Sequence, residues 1–401
     1  MSNTIIILLC VLILMAYVFD ITSSKTKLPT VIILLALGWG LKQVALTFDI
    51  IIPNIQLILP IVGTFGLILI VLDGSIELEI TTKKTKIIRQ SFFMSLIPFI
   101  VLIGIFSYTL LSLTNTTWRI ALINSIPLGI ISSAIAIPSA RNFIILNREF
   151  IIYESSFSDI FGVIFFNFLL INEIIDLKAF STFGVQLIII ILISIFSTLG
   201  LSFLLNRITH RIKFIPIIIL IVLIYSVSKM FHLPALIFIL IFGLTLANID
   251  LLKSKKWLRQ FNLTRLSNET LKFKEILAEG TFLIRITFFI IFGFLIEIED
   301  LKNLETLSLA IPISVSIYVI RAIFLLFIKK LNSQLLFNAP RGLITILLFV
   351  TIDKSNQISF INNSLITQVI LITSILIILA QFKSKGADEK SIDGEPELNK
   401  E

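Results

Sequence analysis

The sequence is poor in the side chains that most often carry enzyme chemistry. Its 401 residues include one cysteine, Cys10, and two histidines. A single cysteine excludes a disulfide within the chain and a metal site built from several thiolates, and we expect Cys10 to pack among apolar side chains. No glycine-rich phosphate loop follows a strand pattern, so we predict no ATP or NAD site and no cofactor.

Charged residues are scarce as well. They make up 14% of the chain against 57% hydrophobic residues, and the mean hydropathy is +1.03. This balance excludes a soluble globular domain and indicates an all-α polytopic membrane protein. Apolar runs long enough to cross a hydrocarbon core of about 30 Å recur along the chain. We predict about thirteen transmembrane helices, numbered here as segments 1 to 13 at 4–20, 28–47, 57–78, 90–113, 118–139, 149–171, 183–205, 213–230, 233–249, 278–297, 306–329, 337–353 and 364–382.

Basic residues are unevenly distributed among the loops between these segments. Alternate loops place most of the 33 Lys and Arg residues on one side. The positive-inside rule makes that side cytoplasmic, with the N-terminus outside and the C-terminus in the cytoplasm. The net charge of +8 therefore reflects topology and implies no nucleic acid partner. We predict a transmembrane domain at 1–383 and, because 384–401 is charged and lacks aromatic residues, a short disordered cytoplasmic tail.

Segments 5 and 12 have interrupted interiors. Segment 5 contains IPLGIISSAIAIPSAR at 126–141, and segment 12 begins with FNAPRGLIT at 337–345. Proline and glycine leave backbone N–H and C=O groups without helical partners. Within a membrane, such groups are tolerated only where they are buried in protein or line a cavity. The two segments lie seven apart and so cross the membrane in opposite directions, which predicts an inverted repeat of helices 1–6 and 8–13 with helices 5 and 12 broken. The alternative is that the prolines only kink two helices.

Several ionisable side chains fall inside the predicted segments. A charge at the bilayer centre costs at least about 2.5 kcal/mol on insertion scales, so each is a candidate functional residue. Glu154 and Asp159 lie in segment 6, within YESSFSDIFGVIFF, and Asp73 lies near the end of segment 3. Segments 10, 11 and 12 each contain one arginine, namely Arg285, Arg321 and Arg341.

Glu154 and Asp159 face different directions on their helix. Their five-position spacing separates them by roughly 140°, whereas Ser155 and Asp159 are four apart and share a face. A hydroxyl and a carboxylate on one face can hold a hard cation, and the same carboxylate can bind a proton instead. Glu154 is then free to pair with an arginine. The alternative is that both acids form stabilising salt bridges.

The motifs around these residues resemble those of a known transporter family. The element ESSFSD at 154–159 resembles the ESLLND-type signature of the monovalent cation:proton antiporters, in particular the sodium/proton exchanger branch. LDGSIELEI at 72–80 resembles the FEGGLELD stretch of that family, and APRGLITILL at 339–348 resembles its GLRGAVSLAL stretch. The resemblance covers about residues 5–382, with the motifs in the family's order.

The resemblance implies roles for individual residues. Asp159 is expected to be the carboxylate that binds the ion and the proton, and Ser155 and Asp73 help to form the monovalent cation site. Glu154 is expected to pair with Arg341 and hold the broken region together.

The chain departs from the family pattern in two places. The family usually has an acid in the broken fifth helix, where this sequence has only hydroxyls, so Ser132 and Ser133, with freed backbone carbonyls, are expected to replace it. Ser158, which we also predict to belong to the ion- and proton-binding site, stands before Asp159, where many members have Asn or Asp. One titratable acid therefore remains in this pair of positions.

The resemblance also implies the function. We expect a secondary transporter, not an enzyme, that exchanges Na⁺ for H⁺ across the plasma (inner) membrane by alternating access, electroneutrally and one for one. A homodimer is implied, in which a core bundle of helices 4–6 and 11–13 moves against a dimerisation bundle of helices 1–3 and 7–10. The alternatives are potassium/proton antiport and channel-like potassium efflux, although no selectivity filter or nucleotide-binding domain is visible. An intramembrane protease is disfavoured because neither histidine is placed for a catalytic motif.

Overall fold

The structure is a computed structural model that describes most of the chain. The described residues are 11, 13–19, 29–48, 55–78, 80, 84–207, 214–231, 233, 235–249 and 263–382. Cys10 and the predicted tail at 384–401 lie outside them. Within these ranges the regular secondary structure is helical, without strands.

Fifteen helices are delimited in the described ranges. They are α1 (Thr30–Thr47), α2 (Ile55–Ile76), α3 (Thr85–Leu113), α4 (Trp118–Gly129), α5 (Ser133–Ser139), α6 (Ile145–Ile171), α7 (Leu177–Arg207), α8 (Phe214–Met230), α9 (Ala235–Ala247), α10 (Leu263–Leu295), α11 (Ile298–Lys302), α12 (Leu304–Phe327), α13 (Ser333–Phe337), α14 (Leu343–Thr351) and α15 (Asn363–Phe382). Residues 13–19 are also helical. Eight candidate spans in the described residues are long and apolar enough to cross a membrane, and three shorter apolar helices accompany them. The predicted all-α polytopic class is confirmed.

One helix is longer than its predicted segment. Segment 10 was placed at 278–297, whereas α10 begins at Leu263. The added turns carry Lys272, Lys274 and Glu275, which favour helix, and no proline interrupts them. The apolar run therefore marks only the part of the helix that can lie in the membrane.

The helices pack in two groups. In one, α10 packs against α1 and α2, and α9 packs against α2, α7 and α8. In the other, α3 packs against α4, α6 and α12, while α15 packs against α12 and α13. Contacts between the groups include those of α2 with α6 and α14, and of α9 with α6.

Two glycines allow a close helix contact in the first group. A Cβ atom on Gly38 of α1 or on Gly293 of α10 would overlap the backbone of the facing helix. Small residues allow transmembrane backbones to approach in this way, because lipid offers no hydrophobic drive for helix association. The pair fixes where α1 meets α10.

The two predicted helix breaks are confirmed, and they lie side by side. Residues 130–132 separate α4 from α5, and residues 338–342 separate α13 from α14. The backbone N–H of Ser132 donates to the Pro340 carbonyl at 2.9 Å, and the Asn338 side-chain amide donates to the Ala136 carbonyl at 3.1 Å. The second break thus accepts from a backbone N–H of the first and donates to a carbonyl of α5, in keeping with irregular backbone buried inside a membrane protein.

Candidate functional site

Asp159 lies on the buried face of α6, at the level of the break between α4 and α5. The residue is 5% exposed. Ser133, the first residue of α5, lies beside this carboxylate. The carboxylate oxygen Oδ1 has no hydrogen-bond partner among the described residues. A buried carboxylate with an open oxygen is costly unless it binds a cation or a proton.

The surroundings of Asp159 place it at the boundary between the two helix groups. It lines a small cavity of about 10 Å³ together with Val71 of α2 and Leu236 and Ile237 of α9. The remaining lining residues, Ile160, Val163 and Leu240, are also apolar. The carboxylate is therefore the polar group of an otherwise apolar contact between α6, α2 and α9.

Ser158, the neighbour of Asp159, holds the first break. The backbone N–H of Ile131 donates to Ser158 Oγ at 2.9 Å, and both groups are buried. Because the break leaves this N–H without a partner in its own helix, the hydroxyl replaces the missing carbonyl. The structure therefore shows Ser158 supporting the backbone next to Asp159.

We expect Ser158→Ala to lower the free energy of unfolding by about 1–3 kcal/mol, because the Ile131 N–H would be buried without an acceptor. Thermal unfolding of the purified protein in detergent measures the loss. Ser112→Ala is the matched control, since that exposed hydroxyl only donates to the Thr109 carbonyl of its own helix. Equal stability of Ser158→Ala and the unmodified protein would contradict this role.

Two other predicted hydroxyl ligands differ in how they are bonded. Ser155 Oγ donates to the Ile151 carbonyl of α6 at 2.8 Å, which leaves its lone pairs available. Ser132 Oγ is buried between the two breaks and has no partner among the described residues. A Cβ on Gly342 would lie 2.9 Å from that oxygen. Because Gly342 has no Cβ, the second break can lie close to Ser132.

Asp73 lies on α2 in a different charged environment. Glu77, Arg285 and Lys274 are the charged groups that act on it. The next residue, Gly74, faces α6, because a Cβ there would lie 3.5 Å from Ser156 Oγ. Asp73 therefore precedes a residue that faces α6, and the basic side chains Arg285 and Lys274 of α10 act on it electrostatically.

Glu154 pairs with Arg321, so the predicted pairing with Arg341 is wrong. Arg321 Nη1 and Nη2 donate to Glu154 Oε1 and Oε2 at 2.6 and 2.7 Å. Arg321 Nε donates to the Leu335 carbonyl of α13 at 2.7 Å. The two side chains are buried, and this bidentate geometry is the strongest that a carboxylate and an arginine can adopt. The sequence marked Arg321 as a lone charge in the otherwise apolar interior of its segment, but it did not indicate the partner of that charge.

Arg341 binds backbone carbonyls, which explains why it needs no carboxylate. Its Nε donates to Leu128 O at 2.7 Å, its Nη2 to Gly129 O at 3.1 Å and its Nη1 to Ala339 O at 2.9 Å. Since α4 ends at Gly129, the Leu128 and Gly129 carbonyls lack helical partners and lie at the negative end of the helix dipole. The guanidinium therefore caps α4 and joins the two breaks.

The family is decided by a match over nearly the whole chain. Residues 10–385 match the family model described as sodium/hydrogen exchanger, transmembrane. The chain belongs to the sodium/hydrogen exchanger family. This exchanger is therefore an integral membrane transporter that couples a cation to protons, and not an enzyme. The resemblance found in the sequence motifs is confirmed.

Solved structures of a sodium proton antiporter share the fold of this exchanger. They are of MjNhaP1 from Methanocaldococcus jannaschii. The structure at pH 8 has a TM-score of 0.64 and 16% identity, covering 98% of this chain and 100% of that one. A structure from an electron microscopy map has a TM-score of 0.68 and 16% identity, covering 100% of both chains. No curated protein matches the sequence significantly.

Proposed function

We propose that this exchanger moves Na⁺ against H⁺ by alternating access, with Asp159 holding either the cation or the proton. The observation that carries the assignment is the difference between the two buried acids of α6. Glu154 is neutralised by Arg321 at 2.6 Å, whereas Asp159 keeps one oxygen without a partner in the described part of the chain. A carboxylate that must release its ligand in each cycle cannot be held permanently by an arginine.

Neutral oxygens around Asp159 complete the proposed cation site. Ser155, Ser132 and Ser133 offer hydroxyl oxygens, and the break between α4 and α5 offers carbonyls. Such oxygen ligands suit a hard cation. Asp73 adds a second carboxylate on the approach to the site. Ser158 contributes indirectly, by holding the Ile131 amide in place.

The two helix groups are proposed to be the moving parts. The core bundle comprises α3–α6 and α12–α15, and the dimerisation bundle comprises residues 13–19 with α1, α2 and α7–α10. The position of Asp159 at the contact of α6 with α2 and α9 supports this division. Sliding of one group along the other would expose the carboxylate to each side in turn.

The proposed molecule is a homodimer in the plasma (inner) membrane. Its N-terminus lies outside and its C-terminus in the cytoplasm, because the loops richest in lysine and arginine then face the cytoplasm.

Proton movement in everted vesicles that lack native exchangers tests the function. Adding Na⁺ to acid-loaded vesicles should release protons and dequench a pH-sensitive dye. Parallel additions of Li⁺ and K⁺ rank the cations, and a response to K⁺ alone would favour the potassium/proton alternative. A cation flux that collapses the membrane potential without moving protons would favour a channel and contradict antiport.

We expect one-for-one exchange, because Asp159 is the acid on α6 free to alternate between cation and proton. A charge moved across 100 mV corresponds to about 2.3 kcal/mol, so an exchanger that carries net charge responds strongly to a potential. In proteoliposomes, a potassium diffusion potential set by valinomycin should leave the equilibrium sodium gradient unchanged at a fixed pH gradient.

A shift of that gradient would contradict the one-for-one stoichiometry. It would indicate a second titrating acid, for which Asp73 is the candidate. The Asp73→Asn variant then identifies the acid, because it should abolish the response to the potential if Asp73 carries the second proton.

A further inference from the structure

Lys86 and Lys330 lie near each other where α3 begins and α12 ends, and Lys329 directly precedes Lys330. Lys86 lies in the first turn of α3, and Lys329 and Lys330 follow the last residue of α12. Within the described residues, none of these three lysines has an ion pair with an acid. The neighbouring Glu149 is already engaged by Lys84, at 3.1 Å. We call Lys86, Lys329 and Lys330 the lysine cluster.

A left-handed residue fixes part of this cluster. Lys329 has a φ of 55°. Its N–H donates to Leu326 O at 3.0 Å, and the N–H of Lys330 donates to Leu325 O at 2.9 Å. These two bonds define a Schellman motif, whose left-handed position is usually glycine. The chain keeps a lysine in a strained conformation here, which suggests a role for the side chain.

Lys330 is held against the protein rather than extended into solvent. Its ammonium lies 5.3 Å from the centre of the Phe150 ring of α6. Partial burial, and then the charge of Lys86, lower the pKa of Lys330. Both effects destabilise the charged ammonium, so an anion placed between these lysines would bind favourably.

The surface next to the cluster is apolar and exposed. Four large side chains there are between 44% and 78% exposed, namely Ile323, Leu326, Phe327 and Leu331. On a transmembrane helix such a face contacts lipid acyl chains. Lysines immediately beyond that face lie at the depth of the headgroups, where basic residues attract anionic lipids.

We propose that the lysine cluster binds the phosphate of an anionic phospholipid, whose acyl chains lie along the exposed face of α12. Two other occupants of the lysine cluster would also carry negative charge, namely inorganic phosphate and the acidic residues of 384–401. Neither can cover the apolar face beside the lysines, which is why a lipid fits better. This lipid site is separate from Asp159 and does not depend on the transport proposal.

Native mass spectrometry of the purified exchanger with short-chain phosphatidylglycerol tests the site. We expect the double variant Lys86→Gln, Lys330→Gln to bind this lipid about thirtyfold more weakly, from the usual contribution of two interfacial lysines. The matched control, Lys178→Gln with Lys354→Gln, removes the same charge from two exposed lysines elsewhere in the chain and should bind normally. Lys330→Arg keeps the charge and should also bind, which separates loss of charge from misfolding.

Three results would overturn the proposal. The first is unchanged phosphatidylglycerol binding by the double variant. The second is complete displacement of the lipid by inorganic phosphate at equal concentration, which would assign the cluster to a free anion. The third is lipid binding that begins only when 384–401 are deleted, which would assign the cluster to the tail.

Discussion

Asp159→Asn should give a folded protein that no longer exchanges cations for protons. The amide has the shape of the carboxylate, but it neither releases a proton nor neutralises a bound cation. Proton release driven by Na⁺ in vesicles should fall to the level of vesicles without the exchanger. Because the substitution removes a buried charge that has an open oxygen, thermal stability should stay the same or rise.

The control for this substitution is Asp353→Asn. Asp353 is exposed in the loop after α14, so this variant makes the same replacement of a carboxylate by an amide away from α6. It should keep full exchange. If monodisperse Asp159→Asn protein still moved protons in response to Na⁺, another group would have to be the carrier.

Removing either member of the Glu154–Arg321 pair should be strongly destabilising. Each single alanine variant leaves one buried charge without its partner, which typically costs 3–5 kcal/mol. The double variant leaves neither charge, so its loss should be smaller than the sum of the two single losses. Thermal unfolding in detergent of the four proteins gives the coupling energy.

A double-mutant cycle of Glu154 with Arg341 provides the matched comparison for the cycle of Glu154 with Arg321. Arg341→Ala should also destabilise, because carbonyls at the end of α4 lose their donor. Its loss should add to that of Glu154→Ala with little coupling. A larger coupling of Glu154 to Arg341 than to Arg321 would contradict the observed pairing.

The sequence predicted those features that depend on local composition. Apolar runs predicted the helices, because a chain segment in lipid must satisfy its backbone hydrogen bonds within itself and therefore forms a helix. Proline and glycine marked the two broken segments, although Pro127 and Pro138 lie inside α4 and α5 and the break falls between them. The five-residue spacing separated Glu154 from Asp159 correctly, since only Glu154 is paired with an arginine.

The sequence did not predict those features that depend on how the helices are rotated against one another. Arg321 and Arg341 both lie within membrane segments, and no local pattern shows which of them faces Glu154. Arg341 does not pair with Glu154 because its guanidinium donates to the carbonyls at the end of α4. The hydrogen bond from Ile131 to Ser158 is also a tertiary contact, and the sequence indicated only that Ser158 stands next to Asp159.

Proton release on cation binding tests most directly whether Asp159 holds either a proton or Na⁺. Purified exchanger in weakly buffered detergent, at a pH where the empty site is protonated, receives Na⁺ while a pH indicator is read. At saturating Na⁺ we expect a measurable release, approaching one proton per chain, from the unmodified protein and from Asp353→Asn, and none from Asp159→Asn. Equal release by Asp159→Asn and the unmodified protein would contradict the competition of proton and cation for this carboxylate.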